Sequence, residues 1–173
     1  TDIGNNNIYD VTVQVDDSLG GTDTQAIAVT VMNVNEPPTI TSDGGGTTAA
    51  LSVAENSTAV TTVTSTDVDA GAAKTYSIIG GADMDLFTIN NTSGALSFIT
   101  APNREVPTDA EKNNVYDVQV QVSDGELVDT QAIAVTVSNV YEPPVITSGG
   151  GEDPAFYDIS ENSTSITTVT SDI

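Results

Sequence analysis

The chain contains no cysteine and no histidine, and its aromatic residues are few. Without cysteine there is neither a disulfide framework nor thiol chemistry. Without histidine the chain lacks the usual general base and the commonest transition-metal ligand. No apolar run approaches the roughly 18 residues of a membrane-spanning helix, and the first residues do not resemble a signal peptide. These absences argue against thiol or histidine catalysis and against direct membrane insertion.

Basic residues are almost absent as well. Three of them face 25 acidic residues, so the formal net charge of the 173-residue chain is −22. Nucleic acids and anionic membranes are themselves negative, and we expect neither as a partner. The acidic excess favours a cation as counter-ligand. The alternative is that acidity only keeps an exported protein soluble.

Internal repetition is the strongest feature that is present. Residues 23–31 return unchanged as residues 129–137, and residues 55–58 return as residues 161–164. The distance from Glu55 to Glu161 is 106 positions. We therefore expect a piece of a longer protein that contains three units: the end of one repeat at 1–35, a complete repeat at 36–141, and the start of another at 142–173.

A proline-bearing segment, Asn33-Val34-Asn35-Glu36-Pro37-Pro38, separates the first two units and returns, altered, as residues 139–144. Paired prolines fix φ and remove backbone donors, so the chain cannot continue as a central strand there. Each copy is predicted to be a stiff, extended linker. Its amide and carboxylate oxygens lie where acidic loops from both neighbouring units can converge.

Alternating apolar residues predict strands throughout, and no segment shows helical periodicity. Residues 8–15 and 23–31 are predicted to form a hairpin. In the complete repeat, residues 43–46 are predicted to break the opening strand in two. About seven short strands in roughly 105 residues indicate an all-β, Greek-key β-sandwich. The strands are expected near residues 39–42, 49–54, 58–65, 73–79, 86–90, 95–99, 115–123 and 130–139.

The same alternation predicts the core. We expect the tyrosines at positions 9, 76 and 116 to be buried, and Tyr141 and Tyr157 to be exposed. Asp83 and Asp85, on either side of a methionine in a loop, are expected to be solvated. The predicted core residues are Val53, Val60, Val63, Tyr76, Ile78, Leu86, Phe87, Ile89, Leu96, Phe98, Tyr116, Val118, Val120, Val122, Ile133, Val135 and Val137.

A succession of short motifs across the whole chain resembles a cadherin repeat, most closely the cadherin-like repeats of large bacterial surface or secreted proteins. No one motif is specific, but their order within one period is a strong combined signal. The motifs are Glu55-Asn56, Asp67-Val68-Asp69-Ala70-Gly71, Tyr76-Ser77-Ile78, Phe87-Thr88-Ile89 with Ser93-Gly94-Ala95-Leu96, Arg104-Glu105, Val122-Ser123-Asp124-Gly125 and the linker.

This resemblance implies Ca²⁺ at each inter-repeat joint, with ligands from the repeat before it, the linker and the repeat after it. Asn103 occupies a place where the family has aspartate, and Tyr141 replaces a linker asparagine. The implied ligands are Glu55, Asn103 and Glu105 from the upper repeat, Asn33, Asn35, Glu36, Asn139 and Glu142 from the linkers, and Asp67, Asp69, Asp124 and Asp172 from the lower repeat.

Elementary chemistry supports such a site independently. Calcium takes six to eight oxygen ligands, mixing carboxylates, amides and carbonyls. Asp67 and Asp69 lie two residues apart on a turn, so both can face one concave site. Gathered carboxylates repel one another unless a cation compensates them. Neither joint has its full ligand set in this chain, so we expect neighbouring repeats of the same or an identical chain as partners.

Three functional classes follow. The leading hypothesis is a calcium-rigidified repeat of an extracellular or cell-surface protein, acting as a spacer, adhesin stalk or filament module. The alternative is a module that binds carbohydrate or another cell. An enzyme, such as a two-carboxylate glycosidase, is disfavoured because the acids recur with the repeat and no inserted segment builds a cleft.

Overall fold

The computed structural model describes residues 6–69, 71, 73–151 and 155–172, apart from the side chain of Asp172. Its first element is the expected hairpin. Strand β1 (Ile8–Asp16) pairs antiparallel with β2 (Thr22–Thr30) along its full length. The five-residue connection is tied by the Asp17 side chain, which accepts the N–H groups of Leu19 and Gly21.

Nine strands form the central unit and two short ones follow it. The predicted strands are confirmed with two differences: the opening strand is shorter than expected, and the strand expected at 58–65 is divided into two strands that pair with different partners. The central strands are β3 (Thr39–Ile40), β4 (Thr48–Ala54), β5 (Ala59–Thr62), β6 (Ser65–Thr66), β7 (Thr75–Gly80), β8 (Phe87–Ile89), β9 (Ala95–Phe98), β10 (Val115–Ser123) and β11 (Val128–Ser138). The last two are β12 (Val145–Ile146) and β13 (Ser171–Asp172).

Two layers enclose the core of the central unit. One is the four-stranded sheet β4-β11-β10-β7, and the other combines β5-β9-β8 with the pair β3-β6. Residues 63 and 64 connect β5 to β6 within that second layer. There the Val63 N–H donates to Gly94 O (2.9 Å) and the Thr41 N–H donates to Thr64 O (2.8 Å). The arrangement is the expected all-β sandwich.

The opening strand changes layer at the predicted glycine-rich break. β3 pairs antiparallel with β6 in one layer, whereas β4 pairs parallel with β11 in the other. Between them Asp43 has a φ of 53° and Gly44 a φ of 89°, a left-handed conformation that glycine adopts without steric cost. The break therefore lets one segment close both edges of the sandwich.

The core follows the predicted alternation. Phe98 lies at its centre, stacked on Phe87 with ring centroids 4.5 Å apart and in edge contact with Tyr116 at 5.2 Å. Ile40 is also buried, although it was not among the expected core residues. It is the second residue of the two-residue strand β3, and only this residue of the strand packs into the sandwich. The predicted residues that are half-buried at the margin of the core are Val53, Val60, Ile78, Leu86 and Ile89.

Two of the expectations about burial are wrong. Tyr9 is exposed, because no second layer covers the β1–β2 hairpin among the described residues. Asp83 is buried rather than solvated: its carboxylate accepts the N–H groups of Ala110 (2.7 Å) and Asp117 (2.8 Å). Asp85 is exposed, as expected. Within the described ranges, no helix is long and apolar enough to span a membrane.

The buried Asp83 carboxylate yields a stability prediction. Asp83→Ala removes the acceptor of two backbone N–H groups at once, and we expect it to lower the free energy of unfolding by about 2 kcal/mol. The matched control is Asp85→Ala, which changes an exposed carboxylate two residues away and should stay within about 0.5 kcal/mol of the parent. Urea unfolding of both variants measures this, and equal losses would contradict a structural role for Asp83.

Candidate functional site at the linkers

The first linker contacts two acidic loops of the central unit. The Asn33 side-chain amide donates to Asp69 Oδ1 (2.5 Å), and the Glu36 N–H donates to Asp69 Oδ2 (3.0 Å). The Asn35 amide donates to Asp124 Oδ2 (2.9 Å). The linker is therefore attached to residues 33 and 89 positions away in the sequence. Both loops belong to the central unit, whereas the sequence predicted acidic loops from both neighbouring units.

Asp67 completes this cluster and has an oxygen without a partner. Its Oδ1 accepts the Asp69 N–H (2.9 Å), which holds the two aspartates on one turn. Its Oδ2 is buried and makes no hydrogen bond to any described group. A buried carboxylate oxygen with no donor is costly, so this atom is suited to a cation. We name the six residues Asn33, Asn35, Glu36, Asp67, Asp69 and Asp124 the first-linker cluster.

Hydrogen bonds lower the pKa values of two acids of the first-linker cluster, Asp69 and Asp124. The Glu36 N–H, followed by the Asn33 amide, holds the pKa of Asp69 below its ordinary value, although the nearby Asp124 charge opposes this. The N–H groups of Leu127 and Glu126 lower the pKa of Asp124, and the Asn35 amide adds to the effect. At neutral pH both side chains are therefore carboxylates, and they lie near enough for the charge of Asp124 to act on Asp69.

The second linker is anchored by Glu55, which is only 2% exposed. Glu55 Oε2 accepts the Arg104 N–H (2.8 Å), and Oε1 accepts the Val140 N–H (2.7 Å). These two N–H groups, the nearby Glu105 side chain and the Arg104 charge hold the pKa of Glu55 below its ordinary value. One carboxylate thus joins the end of β4, the loop that carries Arg104 and the linker.

The remaining predicted residues of this joint make fewer contacts. Asn103 Oδ1 accepts the Val106 N–H (2.9 Å) inside its own turn, and Asn139 and Glu105 are exposed. Tyr141 is 85% exposed, as expected for a residue that replaces a linker asparagine. The backbone of Asp172 lies in β13, but its side chain is outside the described part of the structure.

The sequence analysis did not identify Asn56 as a residue that contacts the second linker. Its side-chain amide donates to Glu142 Oε1 at 2.5 Å, so it connects the end of β4 to the second linker. The signal was present, because Glu55-Asn56 recurs as Glu161-Asn162. Only the glutamate of that pair was taken as a ligand.

The donor chemistry of the first-linker cluster fits Ca²⁺. It mixes carboxylates with amide side chains, the oxygen ligands that this ion prefers, and it contains the unpartnered Asp67 oxygen. Rotation of the Asn33 and Asn35 amides would turn their oxygens toward the carboxylates. Within the described residues, no group of three or more acidic side chains is arranged to hold a metal ion by itself.

Comparisons with known proteins agree with this architecture. The chain is 31% identical to cadherin-20 of Xenopus laevis over 172 aligned positions, covering 89% of the chain and 21% of that protein. It thus spans about a fifth of the relative's length. No family model matches the chain.

Solved structures show the same fold. A structure of mouse cadherin-23 covering repeats EC22–24 matches 79% of this chain and 44% of its own length, with 24% identity and a TM-score of 0.56. The protocadherin gammaB7 EC3–6 structure matches 83% of this chain and 36% of its own length, with 21% identity and the same TM-score. The central unit has the fold of a cadherin repeat. The chain is cadherin-like, and its particular resemblance to the repeats of large bacterial surface or secreted proteins stays a prediction.

Glu55 gives the cadherin-like unit a specific pH dependence. Because the pKa of Glu55 is lowered on folding, the ionised group contributes stability above its ordinary value of 4.5, and this stability is lost as the pH falls below it. Glu55→Gln should therefore be less stable than the parent at about pH 7, and the gap should narrow toward about pH 3. Urea unfolding across this range measures the gap, with Asp85→Asn as the control. A gap that is independent of pH would contradict the assignment.

Proposed function

We propose that this chain is part of an extracellular or cell-surface protein in which calcium at the linkers holds successive repeats in line. In this proposal residues 1–35 end one repeat, residues 36–141 form a complete repeat, and residues 142–173 begin the next. The chain acts as a spacer, adhesin stalk or filament module and not as an enzyme. The cadherin-like fold supports the class of protein, and the first-linker cluster supports the metal.

The attachment of the linker amides to the aspartates of the following unit carries the proposal. Asn33 and Asn35 reach Asp69 and Asp124, so a bend at the linker would separate groups that are now within hydrogen-bond distance. A cation bound by the same groups would be lost if the linker bent. Binding would therefore be coupled to the position of the linker on the central unit, and it would be coupled to straightening of the whole joint where the repeat before the linker also supplies a ligand.

The acidic charge explains why the cation is needed. Asp69 and Asp124 stay ionised and lie near each other, and Asp67 has a buried oxygen without a donor among the described groups. Removing calcium would restore the repulsion between these carboxylates. At the second linker Tyr141 stands in place of the counterpart of Asn35, but the repeat before it supplies Glu55 and Glu105, so we expect this joint to have the more complete ligand set of the two.

Calcium should raise the melting temperature of the 173-residue chain. Extracellular calcium modules bind with Kd values of about 10⁻⁴–10⁻³ M, so about 10 mM calcium approaches saturation. One site filled at about 100 times its Kd stabilises by roughly 2.7 kcal/mol. Thermal unfolding in chelator, in calcium and in equal magnesium measures the effect, and magnesium controls for general screening of the acidic charge.

Single substitutions test which residues are responsible for the calcium-dependent rise in melting temperature. Asp69→Asn should remove most of the calcium-dependent rise, because it takes one carboxylate from the first-linker cluster. Asp85→Asn makes the same charge change at an exposed position with no role in the cluster and should keep the full rise. A rise that magnesium reproduces, or that both variants keep, would show that the cluster is not a calcium site.

The mechanical role can be measured on a longer polypeptide with three whole copies of residues 36–141. Each repeat should add on the order of 40 Å, the length of strands of about ten residues with their end loops. Small-angle scattering should show a longer maximum dimension with a narrower spread in calcium than in chelator. If neither changes, the linkers are not calcium hinges, and a carbohydrate- or cell-binding module becomes the better explanation.

A further inference from the structure

A cavity of about 490 Å³ lies beneath the long loop, residues 99–114, that connects β9 to β10. All its lining residues are between positions 85 and 116, within the central unit, and none belongs to the first-linker cluster. Its volume falls in the range of about 300–1,000 Å³ that is usual for small-molecule sites. The side chains that make it apolar are Leu86, Phe98, Ile99, Pro102, Val106 and Tyr116.

The cavity has a buried aromatic floor and an exposed apolar entrance. Phe98 and Tyr116 line it although both are almost fully buried, and their rings are in edge contact at 5.2 Å. Ile99 and Val106 line it too, but they are 62% and 67% exposed. An apolar ligand in the cavity would remove part of these two exposed side chains from water, which favours binding.

Hydrogen bonds hold the loop in place over the cavity. The Ile99 N–H donates to Leu86 O (2.9 Å) at the start of the loop, and the Thr108 N–H donates to the Tyr116 hydroxyl (3.2 Å). The buried Asp83 carboxylate described above fixes the turn that follows. The cavity is therefore preformed, so a ligand would not have to order the loop on binding.

One acidic side chain gives the cavity a preference for positive charge. Of the described residues that line it, only Asp85 carries a formal charge, and this side chain is exposed. Arg104 and Lys112, two of the three basic residues of the chain, belong to the same loop but do not line the cavity. A ligand that binds beside Asp85 would gain from a positive charge and lose from a negative one.

We propose that this cavity binds a small organic cation, with its apolar body on the aromatic floor and its ammonium group beside Asp85. A metal ion does not suit the same place, because calcium needs six to eight oxygen ligands and this lining is mostly carbon with a single carboxylate. The charge must therefore be attached to an apolar body. This site is independent of the calcium joint proposed above.

The size and exposure of the cavity predict weak binding. A ligand of about eleven non-hydrogen atoms with ordinary ligand efficiency has a Kd on the order of 1–10 mM. An exposed ion pair with Asp85 should improve the affinity by about two- to five-fold over a neutral ligand of the same shape.

Three probes with one apolar body and different head groups test the proposal: phenylbutylamine, phenylbutanol and phenylbutyrate. Each is titrated into the isotope-labelled 173-residue chain, to about 20 mM as weak binding requires, while amide NMR signals are followed. The signals of residues 99–108 should move and saturate, with the amine bound most tightly and the carboxylate most weakly. Shifts that map elsewhere, no saturable shift with any probe, or an order led by the alcohol or the carboxylate would overturn the proposal.

Substitutions separate the charge from the apolar cavity. Asp85→Asn should lower the affinity for the amine to that for the alcohol and leave the alcohol unchanged. Glu126→Gln is the matched control, because it removes an exposed carboxylate outside the cavity and tests whether the net charge of −22 alone attracts the amine.

The double variant Ile99→Ser/Val106→Ser should weaken binding of all three probes several-fold, and thermal unfolding checks that it still folds. If it does not fold, the Asp85→Asn and Glu126→Gln titrations still decide the proposal. A preference for the amine that survives Asp85→Asn, or that Glu126→Gln abolishes equally, would overturn the site, as would full binding to the folded double variant.

Discussion

Carboxylates that accept backbone N–H groups hold the loops of this protein in place. With 25 acidic and three basic residues, most acids have no basic side chain to pair with. Asp83 and Glu55 each accept two N–H groups, and Asp109, also buried, accepts those of Asn113 and Asn114. Charge-assisted bonds of this kind offset the cost of burying a charge, which an unpaired carboxylate could not bear. Loops that are short of apolar residues are thereby attached to the sandwich.

At the first linker, hydrogen bonds from N–H groups do not compensate every carboxylate. Asp69 accepts donors from the linker, and Asp124 accepts donors from the linker and from its own turn, but both remain ionised, and Asp67 keeps an oxygen without a donor among the described groups. The N–H donors near the first linker do not satisfy all the carboxylate oxygens there. A divalent cation is the simplest compensation for what is left. The proposed calcium joint is thus an extension of the interaction that organises the loops.

Repetition connects the fold to assembly. The central repeat buries its own core, and the first linker brings its amides next to the acids of that repeat. In tandem repeats of this kind each unit contacts only its immediate neighbours. The N-terminal hairpin repeats the sequence of the end of the central unit, but its apolar face is exposed because no second layer covers it among the described residues.

The sequence by itself determined the strands, the core and the linkers, because these depend on local patterns. Alternation with a period of two places Val118, Val120 and Val122 inside, and paired prolines end the pairing. Only the tertiary structure decided which acids are buried. Asp83 looks like a solvated loop residue until Ala110 and Asp117, 27 and 34 positions away, bring their N–H groups to it. Burial and hydrogen bonding depend on distant segments, so no local pattern reports them. The exposure of Tyr9 has the same cause, since a strand's inward face is buried only where a second layer covers it.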